Sequence, residues 1–197
     1  MNVHTHSPIS TAGFAHPAKN VGAFSIEPGM FVADFGAGSG AYALHIAERL
    51  EKSGRLYVID IQKDLLRRIH SEAHKRGLDH AMEFIWGDIE APGGSKIADS
   101  HLDLVLISNL LFQVPDKGAI FREARRILKP TGRVALIDWS ASFGGMGPRR
   151  EDVVTLDAAL ELASRNGFEL TREFEAGAHH YGLIFRQRPF LVDVEQS

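Results

Sequence analysis

The residues best suited to chemistry begin at Asp34-Phe35-Gly36-Ala37-Gly38-Ser39-Gly40, where three alternating glycines follow a short apolar run. Glycine accepts positive φ without steric cost, so such a run lets bare backbone approach a ligand. The N–H groups at the start of a following helix can then hold an anionic group such as a carboxylate. Further polar residues close later apolar runs: Asp60 after Tyr57-Val58-Ile59, Asp88 after Trp86-Gly87, Asn109 after Leu102 to Ser108, and Asp138 after Arg133 to Ile137. Asp60 lies roughly 20 residues beyond the glycines, the spacing at which a carboxylate reaches ribose hydroxyls in nucleotide-binding folds. Asp103 opens its run instead, which puts it at the opposite edge and outside the set.

These residues share a site only if their elements are parallel strands. Strands are expected at Met30 to Phe35, Arg55 to Asp60, Met82 to Gly87, Leu102 to Ser108 and Arg133 to Asp138. Helical spacing lies between them, at Tyr42 to Glu51, Lys63 to Arg76, Lys117 to Leu128 and Glu151 to Asn166, with an earlier helix starting near Pro17. Alternation of this kind predicts a doubly wound, mostly parallel Rossmann-like α/β sheet with helices on both faces, all carboxyl ends lying on one rim. Phe168 to Glu175 and Tyr181 to Arg188 stand only about five residues apart, too close for a parallel crossover, and should form an antiparallel hairpin. Lys129-Pro130-Thr131-Gly132 reads as a turn ending a helix. Residues 1–16 are polar and aperiodic and read as a flexible arm or lid, with residues 17–197 as one domain.

The motifs carry a family resemblance. FVADFGAGSG resembles the first motif of class I S-adenosylmethionine-dependent methyltransferases, YVID the second, WGDIE the third and DLVLISNLLFQV the fourth; REARRILKPTGRVALIDW is similar to the family's helix, turn and fifth strand. The resemblance covers about residues 19 to 139 and implies a seven-stranded sheet with an antiparallel C-terminal strand. It further implies that Gly36, Gly38 and Gly40 pack against the methionine part of S-adenosylmethionine and that Asp34 helps bind its ammonium. Asp60 would accept from both ribose hydroxyls, Asp88 would receive the adenine amino group, Ile61 and Ile89 would clamp the ring, and the backbone near Asn109 would contact the methionine amine. An ammonium and a sulfonium are favoured by surrounding carboxylates, whereas a pyrophosphate would be repelled by Asp34.

The expected activity is in-line methyl transfer to a small-molecule acceptor, giving S-adenosylhomocysteine. Proximity, alignment and water exclusion can carry it without an acid–base pair. If a base is used, Asp138 is the first candidate and His179 the second, while Phe112, Gln113 and Trp139 are candidates for the acceptor pocket wall. Residues Ser140 to Arg150, with Gly144-Gly145-Met146-Gly147, read as either a surface loop or a substrate-side lid. Two other functions fit parts of the pattern: a cofactor-binding protein without catalysis, and an NAD-dependent oxidoreductase, since Gly36-x-Gly38-x-x-Ala41 also matches a dinucleotide fingerprint.

Composition narrows the field. With 22 Lys and Arg against 25 Asp and Glu, the net charge of −3 gives no basic field to collect nucleic acid. Asn109-Leu110-Leu111-Phe112 also lacks the Pro-Pro-aromatic signature of amino-methylating nucleic-acid enzymes. The absence of cysteine excludes disulfides, thiolate metal sites and cysteine nucleophiles. His4, His6, His179 and His180 lack the convergent spacing of a metal site, so no metal is expected, and the two later histidines should occupy or flank the hairpin turn. Arg125-Arg126 and Arg149-Arg150 read as solvated faces. No membrane span or leader is expected, which makes the cytoplasm the default location.

Overall fold

A computed structural model describes residues 15–143 and 147–189. The expected arm therefore falls almost wholly outside the described residues, as do His4, His6 and Gly144 to Met146 of the expected lid. The strands are β1 (Phe31–Phe35), β2 (Arg55–Asp60), β3 (Met82–Trp86), β4 (Leu102–Ser108), β5 (Leu128–Trp139), β6 (Phe168–Gly177) and β7 (His180–Gln187). They form one sheet in the order β3-β2-β1-β4-β5-β7-β6. The first five are mutually parallel, and β7 runs antiparallel to both β5 and β6.

The central strands read as nearly unbroken apolar runs because both faces are covered. One face packs Phe35, Val105, Ile107 and Leu136 against Ile120, Phe121 and Ala124 of helix α4 (Lys117–Ile127). The other packs Val32, Val58, Leu106 and Ile137 against helices α2 (Ala43–Leu50) and α3 (Lys63–Lys75). Helix α2 buries Ala43, Ile46, Ala47 and Leu50, one stripe at helical spacing. A short helix α1 (Pro17–Val21) opens on the expected proline and joins this second face through Val21.

Three local expectations are corrected. Lys129 to Gly132 is no turn between elements; it bulges within β5, where Leu102 pairs with Leu128 but Leu104 already pairs with Arg133. Helix α5 begins at Leu156 rather than Glu151, since Arg150–Asp152 forms a separate 3₁₀ turn and Thr155 caps the helix, its side chain accepting from the Ala158 N–H. The hairpin strands extend further than expected, leaving only Ala178 and His179 in the turn.

Candidate active site

The carboxyl ends of β1, β2, β3, β4 and β5 meet at one rim, as parallel pairing requires. There the glycine segment folds back on β2: the N–H groups of Gly36 and Ala37 both donate to Ile59 O, and Gly40 N–H donates to Ala37 O. Gly38 N–H donates to Asp60 Oδ2 at 2.9 Å. The amides of Gly36, Ala37, Gly38 and Gly40 are therefore already engaged, and the carboxylates of Asp34 and Asp60 stand beside them. The glycines also divide in role. A Cβ at Gly40 (φ +77°) would strike Ile69 of α3 at 2.7 Å, so this buried residue serves packing, whereas at Gly38 (φ +55°) the nearest atom is Gly36 O at 3.8 Å and space stays open.

Two adjoining cavities share Gly36, Gly38 and Gln113. The first, about 220 Å³, is lined on one side by Asp60, Ile61, Gln62 and Leu65, and on the other by Asp88, Ile89, Leu110 and Val114. The second, about 150 Å³, is bordered by Asp34, Ala37, Ser39, Tyr42, Ser108 and Asn109. Asp60 Oδ1 accepts from Gln62 N–H at 2.8 Å, so each Asp60 oxygen holds one backbone donor and keeps acceptor capacity. Asp88 is exposed and its Oδ1 accepts from Glu90 N–H at 3.0 Å. Ile61 is 62% exposed at the cavity mouth and Ile89 7% exposed inside it. Trp86 donates its indole N–H to Ile61 O at 3.0 Å, with the Lys63 ammonium 3.8 Å over its ring, so this tryptophan holds Ile61 in place.

Asp34 is 2% exposed, and no hydrogen bond among those of the described residues reaches its carboxylate. Burial, and then the neighbouring Asp60 carboxylate, push it up to about 7. Asp138 lies elsewhere. It alternates with Leu136 onto the α4 face, and its oxygens accept from Leu111 N–H at 3.1 Å and Trp139 N–H at 2.8 Å. Burial raises it to about 6, but it lines neither cavity, and its visible work is to hold the Leu111–Gln113 turn against β5. Among the expected wall residues only Gln113 lines the cavities; Phe112 does not, and Trp139 packs tilted against His180 with ring centroids 4.3 Å apart.

Sequence reasoning missed the support of the Asp88 loop. Glu123 of α4, 4% exposed, accepts from Gly93 N–H at 3.1 Å and from Ser95 N–H and Oγ at 3.1 and 2.5 Å. Arg126 pairs with it at 2.7 Å and also reaches Ile97 O, so the expected solvated face is in part a loop clamp. Tyr42, Leu65 and Leu110 were missed as well, since nothing local marks an apolar or aromatic residue as cavity-facing.

Residues 26–177 match the family model described as a methyltransferase domain. The chain belongs to that family. That family uses S-adenosylmethionine as its methyl donor, yielding S-adenosylhomocysteine. This replaces the dinucleotide reading of the glycine segment. The methyltransferase is similar to an S-adenosylmethionine-dependent methyltransferase of known structure from Aquifex aeolicus, with TM-score 0.79 and 22% identity over 90% of this chain and 93% of that one. It also resembles the [4+2]-cyclase SpnF, with TM-score 0.73 and 17% identity over 87% of this chain and 80% of the other, a likeness of fold alone. A ubiquinone/menaquinone biosynthesis C-methyltransferase UbiE from Shewanella sp. (strain ANA-3) is 27% identical over 114 residues, 58% of this chain. The chain spans 44% of the length of that curated relative. The rim fits the family's cofactor by its donor set: an unpaired buried carboxylate at Asp34 suits a cation, spare Asp60 lone pairs suit hydroxyls, and the buried, unpartnered Asn109 Oδ1 awaits a donor.

Proposed function

We propose that this methyltransferase moves a methyl group from S-adenosylmethionine to a small organic acceptor at the carboxyl rim of the sheet. The observation that carries the reading is the adjacency of the two cavities, which share Gly36, Gly38 and Gln113, with Asp88 and Asp60 on the first and the buried Asp34 on the second. In this reading Asp60 accepts from the ribose hydroxyls, Asp88 faces the adenine amino group, and Ile61 and Ile89 enclose the ring. Gly36 and Gly38 leave room for the methionine part, Asp34 holds its ammonium, and the segment at Asn109 closes that end. The cofactor supplies a methyl already activated on a sulfonium, so the chain's own residues have to align, enclose and keep water out. Asp138 then acts as a positioning residue that fixes the Leu110–Gln113 wall through the Leu111 N–H, rather than as a base.

The test is transfer of label from methyl-tritiated S-adenosylmethionine into separated fractions of a cell lysate. Label in the small-molecule fraction is the expected result. Label confined to RNA or protein would contradict the acceptor class, and S-adenosylhomocysteine binding without any labelled product would favour a binding-only role. The methylated atom is read from the product; the UbiE relative is named a C-methyltransferase.

A further inference from the structure

Five buried side-chain atoms have no hydrogen-bond partner among the described residues: Asn20 Oδ1, Asn109 Oδ1, His179 Nδ1 and both ring nitrogens of His180. Buried polar groups in native proteins are nearly always paired, so each exception needs a reason. These exceptions are grouped. Asn109 follows β4, His180 opens β7 and His179 stands in the turn before it. Asn20 of α1 donates to Ala176 O at 2.8 Å, next to Gly177, which pairs with His180.

Asn109 borders the second cavity and is accounted for by the cofactor reading; Asn20, His179 and His180 are not. None of the three lines that cavity, but Asn20 adjoins it, because its Nδ2 also donates at 3.0 Å to the hydroxyl of Tyr42, which does line it. Strand register supplies the orientation. His180 pairs with Trp139, which alternates with Ile137 onto the face that also carries Leu106 and Asp34, opposite to Asp138. The imidazole is 6% exposed and packs tilted against the Trp139 indole.

We propose that Asn20, His179 and His180 form the acceptor subsite, and that it takes an uncharged acceptor through hydroxyl or enol groups. The proposal rests on the cofactor reading above and names the chemistry of its other substrate. The unpaired atoms are of mixed type: Asn20 Oδ1 only accepts, while a neutral imidazole offers one donor and one acceptor. A hydroxyl supplies both complements in one group. Burial, and then His179, push His180 down to about 4, so at neutral pH it brings no positive charge to a carboxylate or phosphate.

The experiment titrates catechol, a minimal neutral dihydroxy probe, into full-length protein saturated with S-adenosylhomocysteine, following the ring signals of labelled histidine by NMR. The expected result is saturable shifts at His179 and His180. In His180→Phe, which keeps a ring but no nitrogens, catechol affinity falls at least tenfold, S-adenosylhomocysteine affinity stays within twofold, and Tm holds or rises because unpaired polar atoms have left the interior. His179→Phe, in the turn, is the second variant and also weakens catechol binding. Shifts at other histidines only, unchanged catechol affinity in both variants, or equal binding of benzoate would overturn the proposal. Wild-type protein that fails to bind S-adenosylhomocysteine before catechol is added removes the cofactor reading itself, a separate outcome.

Discussion

Asp34 and Asp60 carry the strongest expectations at the residue scale. Asp34 lies near 7 when folded against 3.8 for an ordinary Asp, so the folded protein binds the extra proton between those values. Stability attributable to this group therefore falls as pH rises from about 4 to about 7 and stays down above that, by a few kcal/mol at most. Asp34→Asn should remove this group's share of the slope and gain on wild type above pH 7, as read by chemical denaturation across pH. A bound ammonium reverses the preference, because it favours the carboxylate. Wild-type affinity for S-adenosylhomocysteine should accordingly rise through the same window and release protons, while Asp34→Asn binds weakly at every pH. A wild-type affinity independent of pH would separate Asp34 from the ammonium.

At the scale of elements, the glycine segment and the Asp88 loop make distinct predictions. Gly38→Ala should lower Tm through its positive φ alone, with no clash, yet weaken S-adenosylhomocysteine binding at least tenfold; Gly40→Ala should cost more stability, since it adds a clash with Ile69 to the same strain. Comparing Tm with calorimetric affinity for the two proteins distinguishes these roles. Removing the clamp by Arg126→Met leaves Glu123 buried without its cation. This should cost about 2–3 kcal/mol, below the ~3–5 kcal/mol of a fully buried pair because Arg126 is partly exposed. Denaturant melts check that value. The strands β1 to β5 were legible because burial on both faces writes an apolar run into each, and Asp34, Asp60, Asp88 and Asn109 were legible because they end those runs. The Lys129–Gly132 bulge was not, since it depends on the register against β4. Nor was the Glu123 clamp, which links residues 28 to 30 apart in sequence.

For the whole molecule, strand order is what turns scattered acids into a site. Placing β1 and β4 side by side at the centre of the sheet brings Asp34 and Asn109 to one cavity, and β2 and β3 bring Asp60 and Asp88 to the next. The hairpin then adds His179 and His180 to the rim across β5, through a contact in which Asn20 reaches Ala176 over 156 positions of sequence. No spacing rule exposes such a contact, which is why the proposed acceptor side was far less legible than the proposed cofactor side. The most direct measurement is calorimetric titration of wild type and Asp60→Ala with S-adenosylhomocysteine and, separately, NAD. Wild type should bind S-adenosylhomocysteine at one site and NAD not at all, and a folded Asp60→Ala protein should lose about 1–3 kcal/mol of binding because a charged acceptor is missing. NAD binding alone, or an Asp60→Ala protein with undiminished affinity, would contradict the account.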